Sequence, residues 1–547
     1  MHSKLKGFAI LLLGLTLAAV PRALSSPEKD SPQETKGFQK PYGGTLVIGH
    51  NNAPTLINPI LTDSSVSMSI TTLIFNRLVR YDSEGGIRPD LAESWDVSPD
   101  GLTYTFHLRH NVRFHDGVEL TAEDIVYTYS QIREINNHSP YFRNMNLIKH
   151  FEALDRYTFR VDLVAPSASF LYALIREIAP KHIYEKEDLR SGAFNKKPIG
   201  TGPFRFKDWG PNNQITLEAN PDYFEGHSFL DAVVYKLYPT DAEVWSALMR
   251  GEVDLVEFLS VENYEITRRD PSFKTYANPT SDYYLISYNM GDPLMSDRKI
   301  RFAVACSLDM EGLIRSVEND HGVQATGPFS AKTWAYDKTV KPFVYDPPKA
   351  VEILKEDGWK DSNNDGILDR DGAPLIIRML VNAKDQKLKK MATFIRQNLQ
   401  EVGIKLEIRL YDDVKEAQQL TSSGGYQAAL TFFLGPNRDP HEIIKFWYSM
   451  DKRTGILWPS KVQNPGLDQL IREAEVAYDK SDRQRIYHDI HRLIYEEQLA
   501  CFLYFPFDFH AVSKKLGGTD PFLGSVYMPD NLIKDFYMNT GNRSRRR

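Results

Sequence analysis

Two hydrophobic rhythms alternate along the chain. Thr103-Tyr104-Thr105-Phe106-His107-Leu108 repeats every second residue, the period of a half-buried strand. Ser64–Tyr81 instead places Ile70, Leu73, Ile74 and Leu78 on one helical face. Further strands are predicted at Gly44–Gly49, Tyr157–Leu163, Phe204–Trp209 and Gln214–Ala219. Gly200-Thr201-Gly202-Pro203 breaks the chain sharply before the last two. A β–α–β module follows: Ala232–Tyr238, helix Asp241–Arg250 and Val253–Glu257, a crossover suited to parallel strands. Tyr283–Tyr288 reads as a strand and Asp297–Ser316 as one long amphipathic helix. Helix Pro347–Gly358, strand Leu375–Val381, helix Gln386–Val402 and strand Lys405–Leu410 continue the alternation. Strand Ala428–Phe433, helices within 439–450, 464–478 and 481–497, and strand Ala500–Tyr504 complete it. Two α/β blocks thus flank a β-rich insertion, and no internal repeat is visible.

The densest local specification lies in Leu91–Tyr129. The turn Ser98-Pro99-Asp100-Gly101 presets φ at Pro and takes a positive φ at Gly. His115-Asp116-Gly117 is a second turn, and Thr121 with Glu123 and Asp124 starts a helix as a cap with acids in its first turn. Nothing in the segment is a nucleophile, a phosphate loop or a metal quartet.

Composition narrows the class. Met1–Lys6 carries two lysines, Gly7–Val20 is an apolar run of 14 residues, and Ala23-Leu24-Ser25 offers small residues for cleavage. That run falls short of the roughly 20 residues a membrane span needs, so residues 1–25 read as a signal peptide rather than an anchor. No Cys follows it, which argues against a lipid anchor. Residues 26–43 read as a flexible spacer. Cleavage would remove three cations and no acid, moving the net charge from −6 to −9 and disfavouring nucleic acid as a partner. The Arg543–Arg547 cluster is read as a frayed tail. Cys306 and Cys501, the only cysteines, fall in apolar settings and read as buried thiols, with a disulfide as the alternative.

Enzyme templates fail. No G-x-S-x-G, P-loop, G-x-G-x-x-G, H-E-x-x-H or C-x-x-C occurs, and His488/His491 and His107/His110 are expected at the surface. Leu91–Tyr129 closely resembles the signature region of the family 5 extracellular solute-binding proteins of ABC importers. Further landmarks fall in that family's order: Ile199–Phe204, Asn220–Phe224, Gly251–Asp254, Ser296–Arg301, Tyr345-Asp346-Pro347, Gly403-Ile404-Lys405 and Arg438-Asp439-Pro440. The likeness spans about residues 44–510.

The resemblance implies an α/β, two-lobed, periplasmic-binding-protein-like (type II) fold with a β-rich domain inserted in the first lobe. On that basis lobe I comprises 44–80, 199–278 and the return 501–547, the insertion 81–198, and lobe II 279–500. Hinge crossings are expected near Thr275–Asp282 and Leu499–Pro506. The protein would be periplasmic or secreted, not lipid-anchored, monomeric, and a partner of ABC permease subunits. Its ligand would be a small molecule, a peptide by the family's habit. A metal chelate, a sugar, a modified peptide or a sensory role are alternatives within the fold, and an exported hydrolase is a remote one.

Candidate ligand-binding residues follow. Asn51, Asn52, Ala53 and Thr55 end the first strand, where open α/β sheets bind ligands. Gly200 and Thr201 would let backbone approach a ligand, or else form a packing turn. Tyr288 and Asn289 end a strand of the second lobe. Phe433, Leu434, Gly435 and Asn437 occupy the segment where peptide-binding relatives carry an aromatic and, three residues on, an aspartate that pairs with the peptide α-ammonium. Here Phe433 takes the aromatic place and Pro436 the acidic one, so the usual amine anchor is missing. Asp439-Pro440 reads as a helix cap. No cofactor is expected, apart from a structural calcium: Asp361, Asn363, Asp365 and Asp369 match calcium-loop positions around Gly366, but Gly372 replaces the bidentate Glu. A solvated Asx turn is the competing account.

Overall fold

The computed structural model describes residues 40–539 except 63, 83–84, 211–213, 436–438, 448–462 and 521–531. The signal-peptide segment, most of the spacer, the terminal arginines and Asn437 lie outside the described residues.

The organising element is one strand, Ala500–Ser513, whose sequence is almost wholly apolar and aromatic. Such a run reads as a strand buried on both faces. Its first half pairs antiparallel with Tyr283–Tyr288 (Ile286 opposite Cys501, Tyr284 opposite Tyr504) and with Gly322–Gln324. Its second half pairs with Phe273–Pro279 and Leu255–Val256. Pro506 sits where the partners change; lacking an N–H, it cannot donate to a continuous ladder. Its carbonyl instead accepts the Thr280 backbone N–H at 2.9 Å. One sheet of twelve described strands therefore runs through both lobes and changes character at this point.

On one side, Thr45–His50 lies parallel between Ala232–Leu237 and Leu255–Val256, with helix Asp241–Met249 as the crossover. Gln214–Ala219 and Phe204–Gly210 add an antiparallel edge. This lobe buries Leu46, Ile48, Ile70, Tyr235, Leu255 and Val512 in one core. On the other side, Ile376–Asn382 lies parallel to both Lys405–Tyr411 and Ala428–Phe433. Helix Gln386–Glu401 covers them with Leu388, Met391, Ala392, Ile395 and Leu399, spaced three and four apart. The inserted domain has its own antiparallel sheet, ordered Ala92–Val97, Thr103–Leu108, Thr158–Leu163, Ile148–Asp155. Phe106 and Phe159 from that sheet pack with Tyr129 of helix Ala122–Arg133, whose start is a capping box of Thr121 and Asp124.

The insertion also reaches the second lobe. The Tyr478 hydroxyl lies 3.4 Å from the Gly101 carbonyl, and the Ala168 N–H donates to Glu475 O at 2.7 Å. Gly101 has φ +69°, and a Cβ there would fall 2.4 Å from the Tyr478 hydroxyl, so both turn and contact require glycine.

Four expectations change. The helix expected over Ser64–Tyr81 ends at Ile74, because the Gly202 N–H takes the Ile74 carbonyl and Thr201 Oγ1 takes the Asn76 N–H. Asp297–Ser316 is two helices, Arg298–Ser307 and Met310–Glu318, since Asp309 caps the second through the Gly312 N–H. The strand expected over Ala500–Tyr504 continues to Ser513. His491 is fully buried between Thr326 Oγ1 and the Asp337 N–H rather than at the surface. Cys306 and Cys501 are both free and buried, and burial pushes the Cys501 thiol up to about 12.

Candidate functional site

Two segments cross between the lobes side by side: Pro279–Asp282, and Phe505–Phe507 within the long strand. Both lie at or beside the crossings expected from the resemblance. Beyond Pro506, the strand's alternation puts Asp508 and His510 on one face, opposite Asn278 and Tyr276 respectively. Asp282 immediately precedes Tyr283, which pairs with Phe433, so the crossing adjoins the Phe433–Gly435 end of its neighbour. A Cβ on Gly435 would lie 1.9 Å from the Ser281 carbonyl oxygen. Only glycine lets the two backbones pass this closely.

The electrostatics of this junction are one-sided. Burial, then the nearby Asp508 charge, raises the Asp282 carboxyl to about 7; the Gly435 amide opposes the shift weakly. Burial raises Asp508 to about 6. Glu257, next after Leu255–Val256, is raised to about 7 by burial, with only Ser69 Oγ at 3.5 Å to stabilise its charge. His510, 1% exposed, is lowered to about 4 by burial, and its Nδ1 has no hydrogen-bond partner. Two large apolar side chains stand out at the same ends of their strands: Phe258, 51% exposed, and Leu434, 72% exposed. Such a junction can bind a charged, partly apolar small molecule; among its described residues no nucleophile is paired with a base.

The sequence-derived candidates divide. Asn51, Asn52, Ala53 and Thr55 do follow the first strand, with Asn52, Ala53 and Thr55 exposed; Asn51 donates to Asp241 Oδ1 at 2.6 Å. Gly200 and Thr201 serve packing. A Cβ on Gly200 would meet the Ile74 carbonyl at 2.1 Å, and Thr201, 1% exposed, is bonded to Asn76. Tyr288 and Asn289 lie at the far end of their strand, opposite Ala428 and bonded to Gln427, whereas Phe433 lies opposite Tyr283 at the crossing. Five residues of strand, roughly 17 Å, separate the two pairs, so Tyr288 and Asn289 do not join this junction. Phe433 itself packs inward on Tyr283 and Phe446, leaving Leu434 and Gly435 at the crossing.

The proposed calcium residues do not converge. The Asp361 carboxylate accepts the N–H groups of Asp365 and Gly366, Asp365 accepts that of Ile367, and Asp369 turns to the N–H and hydroxyl of Ser362. Asn363 bonds both ways with Asp365. Among the described residues, no three His, Cys, Asp or Glu side chains are grouped to hold a metal ion.

Sequence reasoning missed Asp282, Glu257, Asp508 and His510. A signal existed: Asp508 is the only carboxylate and His510 the only histidine in Ala500–Ser513, and an acid inside an apolar strand at a crossing is costly unless it has work.

Two α/β lobes joined by paired crossing strands, with polar groups gathered at the join, define a solute-binding protein that encloses its ligand between lobes. The chain belongs to the bacterial extracellular solute-binding proteins, family 5, whose model matches residues 86–455. It is 30% identical to the oligopeptide-binding protein AppA of Bacillus subtilis, over 93% of this chain and 95% of that protein. It is 26% identical to heme-binding protein A of Haemophilus influenzae, over 88% of this chain and 90% of the other. Among solved structures, AppA in complex with a nonapeptide matches with TM-score 0.69 at 28% identity, covering 91% of this chain and all of that one. NikZ from Campylobacter jejuni in complex with Ni(L-His) matches with TM-score 0.68 at 26% identity, covering 87% and 95%.

Proposed function

We propose that this protein is the exported receptor of an ABC importer, that it binds a peptide between its lobes, and that it delivers the peptide to a membrane permease. The observation that carries this reading is the paired crossing at Pro279–Asp282 and Phe505–Phe507, in a chain whose relatives include an oligopeptide-binding protein. Two adjacent strands can flex together while each lobe keeps its own core, which is how hinge closure works. Ligand touching both lobes stabilises the closed form, and the permease reads that shift in population. The chemistry is binding without turnover. No helix among the described residues is long and apolar enough to cross a membrane, and residues 1–25 supply the export signal in this reading. The Asp361–Gly372 loop is read as an Asx turn, because backbone N–H groups bond to its carboxylates.

Titration calorimetry with di- to pentapeptides tests the ligand class, alongside mass spectrometry of whatever co-purifies. Saturable micromolar or tighter binding is expected. A sample that ignores every peptide and retains another molecule sinks the peptide reading. Pro436, standing where peptide-binding relatives carry an acid, favours one second reading. Relatives that bind heme or a nickel–histidine complex make a non-peptide ligand the alternative outcome.

A further inference from the structure

We infer that Asp282 and Asp508 together bind a positively charged ammonium of the ligand, replacing the acid that is absent at Pro436. Asp282 stands against Gly435, the residue before Pro436, so its carboxylate reaches the same junction from the neighbouring strand. Asp508 comes from the second crossing, two residues past Pro506, whose carbonyl holds the Thr280 N–H two residues before Asp282. The Thr280 N–H to Pro506 carbonyl bond fastens the two crossings together between these acids. Neither carboxylate forms an ion pair with a Lys, Arg or His among the described residues. Two half-buried carboxylates gathered at one junction without a cation are unfavourable in the empty protein. A cation placed between them removes that cost.

A second observation points the same way. His510 projects from the same strand face as Asp508, two residues on, and its Nδ1 is a buried polar atom with no partner. Buried nitrogens are ordinarily hydrogen-bonded, and a ligand acceptor next to the ammonium would satisfy this one. Phe258 lies against His510, with ring centroids 6.2 Å apart, and presents an exposed apolar surface. Leu434 does the same from the second lobe. An ammonium flanked by apolar groups is the pattern of a peptide amino terminus bearing a hydrophobic first side chain. A lysine side chain offers the same ammonium chemistry.

The inference rests on the peptide reading for its ligand, and the test separates the two. Binding of a free-amine peptide, its N-acetylated form and an N-acetylated lysine-containing form is compared in wild type and in the D282N/D508N double variant. Each single variant serves as a second probe should the double fail to fold, with melting as the folding control. The free-amine peptide is expected to bind the wild type at least about 30-fold more tightly than the double variant. If only the amino terminus is read, both acetylated forms bind weakly; if lysine is read, the lysine-containing form keeps its affinity. A double variant that melts normally and binds the free-amine peptide as tightly as wild type overturns the inference while leaving the peptide reading intact. If no peptide binds the wild type, that reading falls, and the co-purifying molecule decides the rest. A cationic molecule lost from the double variant supports the site; a neutral or anionic one, or one retained, overturns it.

Discussion

Two groups of aspartates in this molecule look alike on paper and differ in every physical respect. The Asp361–Gly372 loop sets its acids at metal-ligand spacing, yet backbone N–H groups of Asp365, Gly366, Ile367 and Ser362 already occupy the carboxylates at 2.7–3.1 Å. Asp361 and Asp365 also stay in contact with water. At the lobe crossing no spacing motif links Asp282 to Asp508, 226 positions apart. There the carboxyls are partly desolvated, lie at one junction, and receive few donors. Spacing reports which atoms can meet; satisfaction and burial decide whether they need anything further.

The contrast is sharpest beside a third acid, whose partner is internal. Asp439 is fully buried and accepts two bonds from Arg483 at 2.7 Å while capping the helix that starts at Pro440. Asp439→Asn is expected to cost about 3–5 kcal/mol, because the guanidinium would be left buried without its counter-ion. Denaturant unfolding checks this, and a loss below about 1 kcal/mol would show that the pair is not desolvated as described.

The next largest effect concerns binding. A cation needs ionised carboxylates, and Asp508, Asp282 and Glu257 become charged only through the range of about 6 to 7. His510, lowered to about 4, stays neutral there. Affinity for a free-amine peptide is therefore expected to rise roughly tenfold between about pH 5 and pH 7.5, and to flatten in D282N/D508N. An equally steep wild-type and variant profile would detach the acids from the ligand.

Stability of the empty protein should move the other way. A carboxyl raised above its unfolded value holds its proton longer when folded, so this contribution to stability falls as pH rises from about 4 through 7. Asp282→Asn should raise the melting temperature by roughly 1–3 °C at about pH 8, and by nothing measurable near pH 4.5. A drop at pH 8 would mean that Asp282 has a stabilising partner in the empty protein. The smallest effect belongs to the loop: millimolar calcium should shift melting by less than about 1 °C, since the carboxylates already have donors. A calcium-dependent rise of several degrees would restore the loop as an ion site.

Much of this architecture is legible from local pattern. The period-two run Thr103–Leu108, the parallel module around Asp241–Met249 and the amphipathic helix Gln386–Glu401 each carry their own signal, because neighbouring residues determine them. The misread elements are those ended by distant partners. Helix Ser65–Ile74 stops where Gly202 and Thr201, more than 120 residues later, take its last polar groups. The site was legible only in part: the segment after Phe433 reaches the crossing, but Tyr288 and Asn289 fall at the other end of their strand, since antiparallel pairing sets position along the ladder.

The sequence by itself determined the family, the alternation of strands and helices, the neighbourhood of both crossings and the missing acid at Pro436. These are properties of short segments read in order. Only the tertiary structure decided which acids are buried at the crossing. Burial and the approach of one carboxylate to another have no signature in spacing, because both depend on how Ala500–Ser513 threads from one lobe into the other.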